Sequence, residues 1–399
     1  MRLAGRRNVV VALGATQTLA WASSYYLPAM LAVPMAHELG IETPVVFAAF
    51  SLALLISALV GPYAGHAIDR WGGRPVLMAT NVLFACGLAG LACAQGPAGL
   101  FLAWALLGIG MGSGLYEAAF ATLVRLYRHD SRSAISGITL VAGFASTVGW
   151  PLSTYLEVHW GWRAACLTWA ALHLVLALPL NALLPDPPGH ADHAPTAAKA
   201  TVAAGPAPTQ GGAGLWPSIL LAIVFAITWF TSTAMAAHLP GVLMASGATL
   251  AAAVAAGALV GPAQVTARVL EFTLLRRMHP LLAARLAALG HPLGAAALLA
   301  VGAPAASAFV LLHGGGNGIL TIAKGTLPLA LFGPQGYGRR QGVLMVPARI
   351  AQALAPWLFG LCLEKWGLHA LLITAALGLV SFSALGLLRL ARAAQPASS

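Results

Sequence analysis

Charged side chains are too scarce in this sequence to build a surface that water would accept. Asp, Glu, Lys and Arg make up 8% of the 399 residues, whereas 59% are hydrophobic. A soluble domain carries about 25% charged residues. The solvent for most of this surface must therefore be lipid. About 20 apolar residues span a bilayer as a helix, so the length accommodates roughly twelve spans with short connections. The apolar runs predict spans at residues 9–32, 44–67, 75–95, 98–123, 133–156 and 162–184. After a connector come 216–239, 247–271, 280–302, 304–331, 341–362 and 368–390.

The connector, residues 185–214, is rich in Pro, Ala, Gly and Thr and has no apolar period, so it reads as flexible. It predicts an N-terminal unit of six spans at 1–184 and a C-terminal unit of six at 215–399. Gly61-Pro62 at the end of the second span is matched by Gly261-Pro262 in the eighth, a weak internal repeat. Two halves with a ligand site between them is a common plan for secondary transporters.

The formal net charge is +11. A nucleic-acid partner is not expected, because the basic residues are scattered through short loops rather than gathered in one domain. Their placement instead orients the chain. With the N-terminus in the cytoplasm, the cytoplasmic segments hold Arg2, Arg6, Arg7, Arg70, Arg74, Arg125, Arg128, Arg132, Lys199, Arg276, Arg277, Arg339, Arg340, Arg389 and Arg392. The opposite segments hold only Arg163 and Lys365. Both termini are expected in the cytoplasm, with the chain multi-pass in a bacterial-type inner membrane. The first apolar run is too long for a cleavable leader and feeds into further spans.

Four cysteines, Cys86, Cys93, Cys166 and Cys362, lie inside apolar stretches without CxxC or CxxH spacing. They predict neither a zinc nor a haem site. Cys86 and Cys93 share a helix face and could take a thiophilic metalloid, but buried apolar packing is the simpler reading. No nucleotide loop, GxSxG or HExxH is present. No enzyme activity, metal or cofactor is expected.

The loop after the second span reads Gly65-His66-Ala67-Ile68-Asp69-Arg70-Trp71-Gly72-Gly73-Arg74. It resembles the G-x-x-x-D-R-x-G-R signature of the major facilitator superfamily, with one extra glycine before Arg74. Gly161-Trp162-Arg163 before the sixth span also resembles that superfamily. So, loosely, does the fifth-span pattern of Gly137, Gly143 and Gly149-Trp150-Pro151, which is similar to that of its antiporters. The resemblance implies an all-α membrane fold of twelve transmembrane helices, in two six-helix bundles around a central cavity. It implies alternating access, a monomer, and a conformational latch at Gly65, Asp69, Arg70 and Arg74.

An ionisable residue at membrane depth is costly unless it faces protein or water, so such residues point to a site. The N-terminal half offers Glu117 in the fourth span, a carboxylate able to carry a proton. In the eighth span Gln264, Arg268 and Glu271 share a helix face; in the tenth His313, Asn317, Thr321 and Lys324 do the same. Arg349 and Gln352 are neighbours in the eleventh. Snorkelling toward the cytoplasmic interface is the alternative for Arg268, Lys324 and Arg349. Gln17, Trp21, Ser24 and Tyr25 add neutral groups in the first span, and Thr228, Ser232 and Met235 in the seventh.

Gly261-Pro262-Ala263-Gln264-Val265-Thr266-Ala267-Arg268 resembles the eighth helix of monocarboxylate transporters, which implies an anion-binding Arg268. Gln264 stands where those proteins carry an Asp. The expectation is a proton-coupled transporter of a small organic anion, its cavity lined by spans one, four, seven, eight and ten. Drug or metalloid efflux, and a sensor that has lost transport, are the rival expectations.

Overall fold

The computed structural model describes residues 5–127, 131–185, 215–273, 279–332 and 337–388. The connector expected at 185–214 lies outside them from residue 186 onward, as do Arg2, Arg128, Lys199, Arg276, Arg277, Arg389 and Arg392. The described residues are helical with short turns, and no strand occurs among them.

The first half comprises α1 (Arg6–Ser23 continued by Pro28–Leu39), α2 (Thr43–Trp71), α3 (Gly73–Cys93) and α4 (Pro97–Gly114 continued by Tyr116–Tyr127). Next come α5 (Ser131–Ala142, then residues 145–160) and α6 (residues 162–172, the π turn His173–Ala177, and Leu178–Ala182). The second half comprises α7 (Leu215–Ala245), α8 (Leu250–Gly257 continued by Val260–Thr273), α9 (Pro280–Val301), α10 (Ala306–Phe332), α11 (Tyr337–Trp366) and α12 (Leu371–Leu387). Among the described residues nine stretches are long and apolar enough to cross a bilayer. Two of these each hold two helices, broken at Gly161 (φ 83) and Gly367 (φ 53). The broken α1 completes the set of twelve.

The sequence predicts unbroken helices for spans one, four, five and eight, and there the structure differs; span five turns at residues 143–144. Each of the other three breaks has a local cause. Pro28 and Pro262 lack the N–H that a helix interior needs. Pro28 follows the α1 break directly, and the carbonyl of Tyr26 takes the Trp150 indole N–H of α5 at 3.2 Å. Pro262 leaves the carbonyl of Ala258 free, and the Thr147 hydroxyl of α5 donates to it at 2.8 Å. Gly112-Ser113-Gly114 weakens α4, and the Gly114 carbonyl accepts from Gln17 Nε2 at 2.7 Å. A freed backbone group inside a membrane must find such a partner.

Buried clusters show how the halves are joined. At the end holding the α1–α2 and α7–α8 turns, the core around Phe50, Trp104 and Leu107 also takes in Ala236, Ala237 and Ala353 of the second half. The core around Phe309, Phe359 and Leu243 takes in Trp150 of the first. At the other end each half packs only on itself. One cluster joins Val9, Leu13, Leu77 and Ile138; the other joins Leu220, Phe225, Leu327 and Leu385. The molecule is closed at the first end and open between the halves at the second.

Candidate functional site

The closed end is sealed by His238 of α7. Its Nε2 hydrogen-bonds the Pro356 carbonyl of α11 at 2.7 Å, and its ring lies 3.8 Å from Phe47 of α2. Beneath it, the Tyr25 hydroxyl of α1 meets Thr233 of α7 at 2.7 Å, a buried bond between the halves. An aromatic wall follows. Trp21 lies 4.8 Å from Tyr116 and 5.0 Å from Tyr25, and Tyr26 lies 5.7 Å from Trp150, centroid to centroid.

Toward the open end the wall gives way to charge. Arg268 lies within electrostatic reach of Tyr26, Tyr116 and Lys324, and Lys324 is also within reach of Glu117. Lys324 Nζ sits 3.7 Å over the Trp229 ring. Glu117 and Arg349 face each other across the halves at 4.0 Å, with side chains 70% and 51% exposed. Two groups that meet between halves yet remain so exposed look into a water-filled opening. The arrangement places Arg349 and Lys324 near Glu117, with Arg268 close to Lys324.

Two cavities adjoin this region. One lies between the halves, with about 270 Å³ of space unfilled by atoms, and meets Tyr26, Trp150, Ser232, Gln264, His313 and Asn317. The other, about 380 Å³, runs into the second half past Thr231, His291 and Ser381. Ser232, His313 and Asn317 line both. Asn317 Nδ2 donates to Ser232 Oγ at 3.0 Å and fixes that junction. Three buried polar atoms near the wall have no hydrogen-bond partner: Gln17 Oε1, Trp21 Nε1 and Arg268 Nε. Orphaned groups of this kind are costly, and together they can accept one hydrogen bond and donate two.

The sequence-derived residues thus divide. Glu117, Arg268, Lys324 and Arg349 come together toward the opening, Gln17 lies buried against the α4 break, Tyr25 lies beneath the closed end, and His313 and Asn317 line both cavities. Span five, absent from the expected lining, supplies Trp150. Gly65, Asp69, Arg70 and Arg74 stand apart, at the open end of α2 and start of α3, where Arg70 lies 5.8 Å over Trp71. Arg125 joins them through its bond to the Ile68 carbonyl at 2.9 Å. Cys86 and Cys93 are exposed on α3 and line neither cavity. His238 and His291 escaped the sequence reading. Each lies in an apolar run without a second polar residue at helical spacing; the Pro that follows at 240 or 292 is their only local mark.

Gly161-Trp162-Arg163 acquires a structural role. The left-handed turn at Gly161 aims both side chains at Glu38, at the end of α1 beyond the apolar run. Trp162 Nε1 donates to Glu38 Oε2 at 2.6 Å and Arg163 Nε to Oε1 at 2.7 Å. Arg163 also donates to the Ala92 carbonyl of α3. The Arg163 hydrogen bond holds the Glu38 carboxyl below its usual range.

Twelve helices around a central opening, with ionisable groups facing it, define a polytopic transporter. The chain belongs to the Major Facilitator Superfamily, whose family model matches residues 13–323. It is a multi-pass membrane protein. Among curated relatives it is 31% identical over 160 residues to an uncharacterized 38 kDa protein of Thermoproteus tenax, covering 40% of this chain. It is 34% identical over 138 residues to monocarboxylate transporter 11 of Mus musculus, covering 34%. It is 29% identical over 155 residues to the multidrug resistance protein MdtH of Yersinia pestis, covering 39%. The matches span 42%, 30% and 38% of those relatives' own lengths. Solved structures share the fold. The nucleoside transporter NupG aligns with a TM-score of 0.75 at 14% identity, over 95% of this chain and 99% of that one. An inward-facing, occupied bacterial homolog of the lysosomal transporter Spinster gives 0.71 at 16%, over 96% of each chain. The D-xylose-proton symporter gives 0.71 at 15%, over 95% and 96%.

Proposed function

We propose that this chain is a proton-coupled transporter of a small organic anion, working by alternating access across a bacterial inner membrane. The observation that carries this reading is the charge at the opening: Arg349 and Lys324 lie near the carboxylate Glu117, and Arg268 lies near Lys324. An excess of cations in a site of low dielectric favours an anionic guest. The neutral donor Trp21 Nε1 and acceptor Gln17 Oε1 would orient that guest against the aromatic wall. Similarity to monocarboxylate transporter 11 agrees with this class. Glu117 would carry the coupled charge change through its pairing with Arg349. The residue-185–214 connector would divide two six-helix bundles, both termini would lie in the cytoplasm, and the open end would face inward. Gly65, Asp69, Arg70 and Arg74 would latch the halves in the opposite state, and the working unit would be a monomer.

A second reading, efflux of flat apolar drugs, draws on the same aromatic wall and on similarity to MdtH. One experiment separates the two. Proteoliposomes holding the full chain would be assayed for labelled lactate, labelled benzoate and a cationic dye under an imposed pH gradient. Organic-anion transport predicts uptake of an acid, abolished in Arg268→Gln and reduced in Lys324→Gln. Movement of the dye alone, indifferent to both substitutions, would overturn it.

A further inference from the structure

The second-half cavity contains a chain of hydrogen bonds that fixes where protons sit. It begins at Thr374 of α12, whose hydroxyl donates to the Leu371 carbonyl at 3.1 Å. That hydroxyl has one proton; while it lies on the Leu371 carbonyl, the oxygen accepts from His291. His291 Nε2, 2.9 Å away, is therefore the protonated nitrogen. A neutral imidazole has one N–H, so His291 Nδ1 is bare and accepts. Its partner, His313 Nδ1 of α10, lies 3.0 Å away and must donate. On that assignment the proton of neutral His313 is held on Nδ1, and its buried Nε2 carries a lone pair. These positions follow from the network rather than from observed hydrogens.

His313 lines both cavities, together with Asn317 and Ser232. Further in, Thr231 Oγ1 and Ser381 Oγ are buried and have no protein partner, although they line the same cavity. Hydroxyls left so, in a largely apolar cavity that also holds His291, His313 and Asn317, have the polar partners that a water needs. We propose that His313 Nε2 is a proton-accepting site of this transporter, reached through that water, with His291 and Thr374 as positioning residues. One N–H bond forms at Nε2 as one O–H bond of a hydronium ion breaks, and release to water reverses the step. No other bond changes, because protonated His313 still donates Nδ1–H to His291. The chain needs no rearrangement in either charge state.

The groups facing the pair are neutral on every packed element: Thr228, Thr231 and Ser232 on α7, and Thr374 and Ser381 on α12. No carboxylate lines either cavity among the described residues. The charged groups on the helices packed here are Arg285 on α9, Lys324 on α10, and Arg268 and Glu271 on α8, and none of them lines either cavity. An imidazolium here lacks a counter-charge until an anion arrives. That links proton uptake to substrate, and this link rests on the organic-anion reading.

Two measurements on the full chain test the site. Nitrogen-15 NMR of histidine-labelled protein in lipid nanodiscs, assigned with His313→Gln and His291→Gln, should find His313 bare at Nε2 and His291 bare at Nδ1. The reverse tautomers would overturn the proposal. In proteoliposomes, an inward proton gradient should accelerate wild-type uptake of labelled lactate or benzoate. His313→Gln should lose that acceleration yet keep exchange without a gradient. Thr374→Val, which removes the anchor of the chain, should mix the tautomers and displace the pH profile. Unchanged gradient acceleration in His313→Gln would also overturn the site. Should the wild type move neither acid, the organic-anion reading falls, and the tautomers alone decide the proton site.

Discussion

Gly261→Ala should move the molecule from its present state toward the one that opens at the other end. Gly261 lies where α8 crosses α5 of the opposite half. A Cβ there would stand 2.5 Å from Thr147 Oγ1, 2.6 Å from the Gly143 carbonyl oxygen and 3.3 Å from Phe144 Cα. Thr147 can rotate away, but only by giving up its 2.8 Å bond to the Ala258 carbonyl. The Gly143 oxygen is backbone and cannot rotate away. Overpacking of this kind costs about 1–3 kcal/mol. The cost falls only on the state in which the halves touch here. A difference of this size shifts a two-state equilibrium roughly 5- to 150-fold. The assay is a distance distribution between spin labels at Val158 of α5 and Val301 of α9, both more than half exposed at the closed end. The four free cysteines, Cys86, Cys93, Cys166 and Cys362, would first be replaced. The expected result is a gain in the longer distance in Gly261→Ala. Gly90→Ala is the control, because its Cβ meets Ala103 at an ordinary 3.4 Å within one half. A folded Gly261→Ala protein with the wild-type distribution would refute the α5–α8 contact as a determinant of state.

Glu117 and Arg349 are exposed and 4.0 Å apart, so their pair should add only about 0–1 kcal/mol to stability. A double-mutant cycle of Glu117→Gln and Arg349→Gln read by thermal melting should show little coupling, whereas the same cycle read by transport should show a large one. Glu38 predicts an acid limb. Its carboxyl is held below the ordinary 4.5 by Arg163, so the brace contributes fully above that value and is lost as pH falls through the lowered one. Glu38→Gln should flatten the fall in melting temperature below about pH 4.5, and an unchanged limb would show that the brace is too well solvated to matter.

Fold and site were unequally legible in the sequence. Span number follows from apolar length, because a bilayer imposes a fixed helix length on any chain that crosses it. The breaks at residues 24–27, 115 and 258–259 have local causes, but the partners that satisfy their carbonyls lie far off in sequence, so the breaks were hidden. The Ala258 carbonyl is free only because Pro262 follows, and is tolerated only because Thr147 lies on another helix. Arg268, Lys324 and Glu117 were legible as charges that lipid would reject. The meeting of Glu117 with Arg349 was not, since 232 residues separate them and no local pattern encodes that contact. His238 and His291 were least legible, for their roles come wholly from residues on other helices.

Each half contains a buried histidine network, and the difference between the two separates structure from chemistry. In the first half His173 of α6 bonds Asn81 Oδ1 of α3 at 2.8 Å and Ser23 Oγ of α1 at 2.8 Å. Asn81 donates its amide to the Leu77 carbonyl, so its oxygen accepts from His173 Nδ1–H. His173 Nε2 then accepts from Ser23, and no ring nitrogen is left over. The network ties three helices and has no site for a further proton. In the second half the corresponding helices α9 and α12 are tied by His291 and Thr374, but the chain runs on to His313 and ends at a cavity. A closed network should therefore act on stability alone. His173→Leu would orphan Asn81 Oδ1 and the Ser23 hydroxyl, each worth about 1–3 kcal/mol when buried. It should lower the melting temperature yet preserve the proton dependence of transport. His313→Gln should do the opposite. If His173→Leu abolished gradient-driven uptake in protein that melts like wild type, the division between a structural and a proton-bearing histidine would fail.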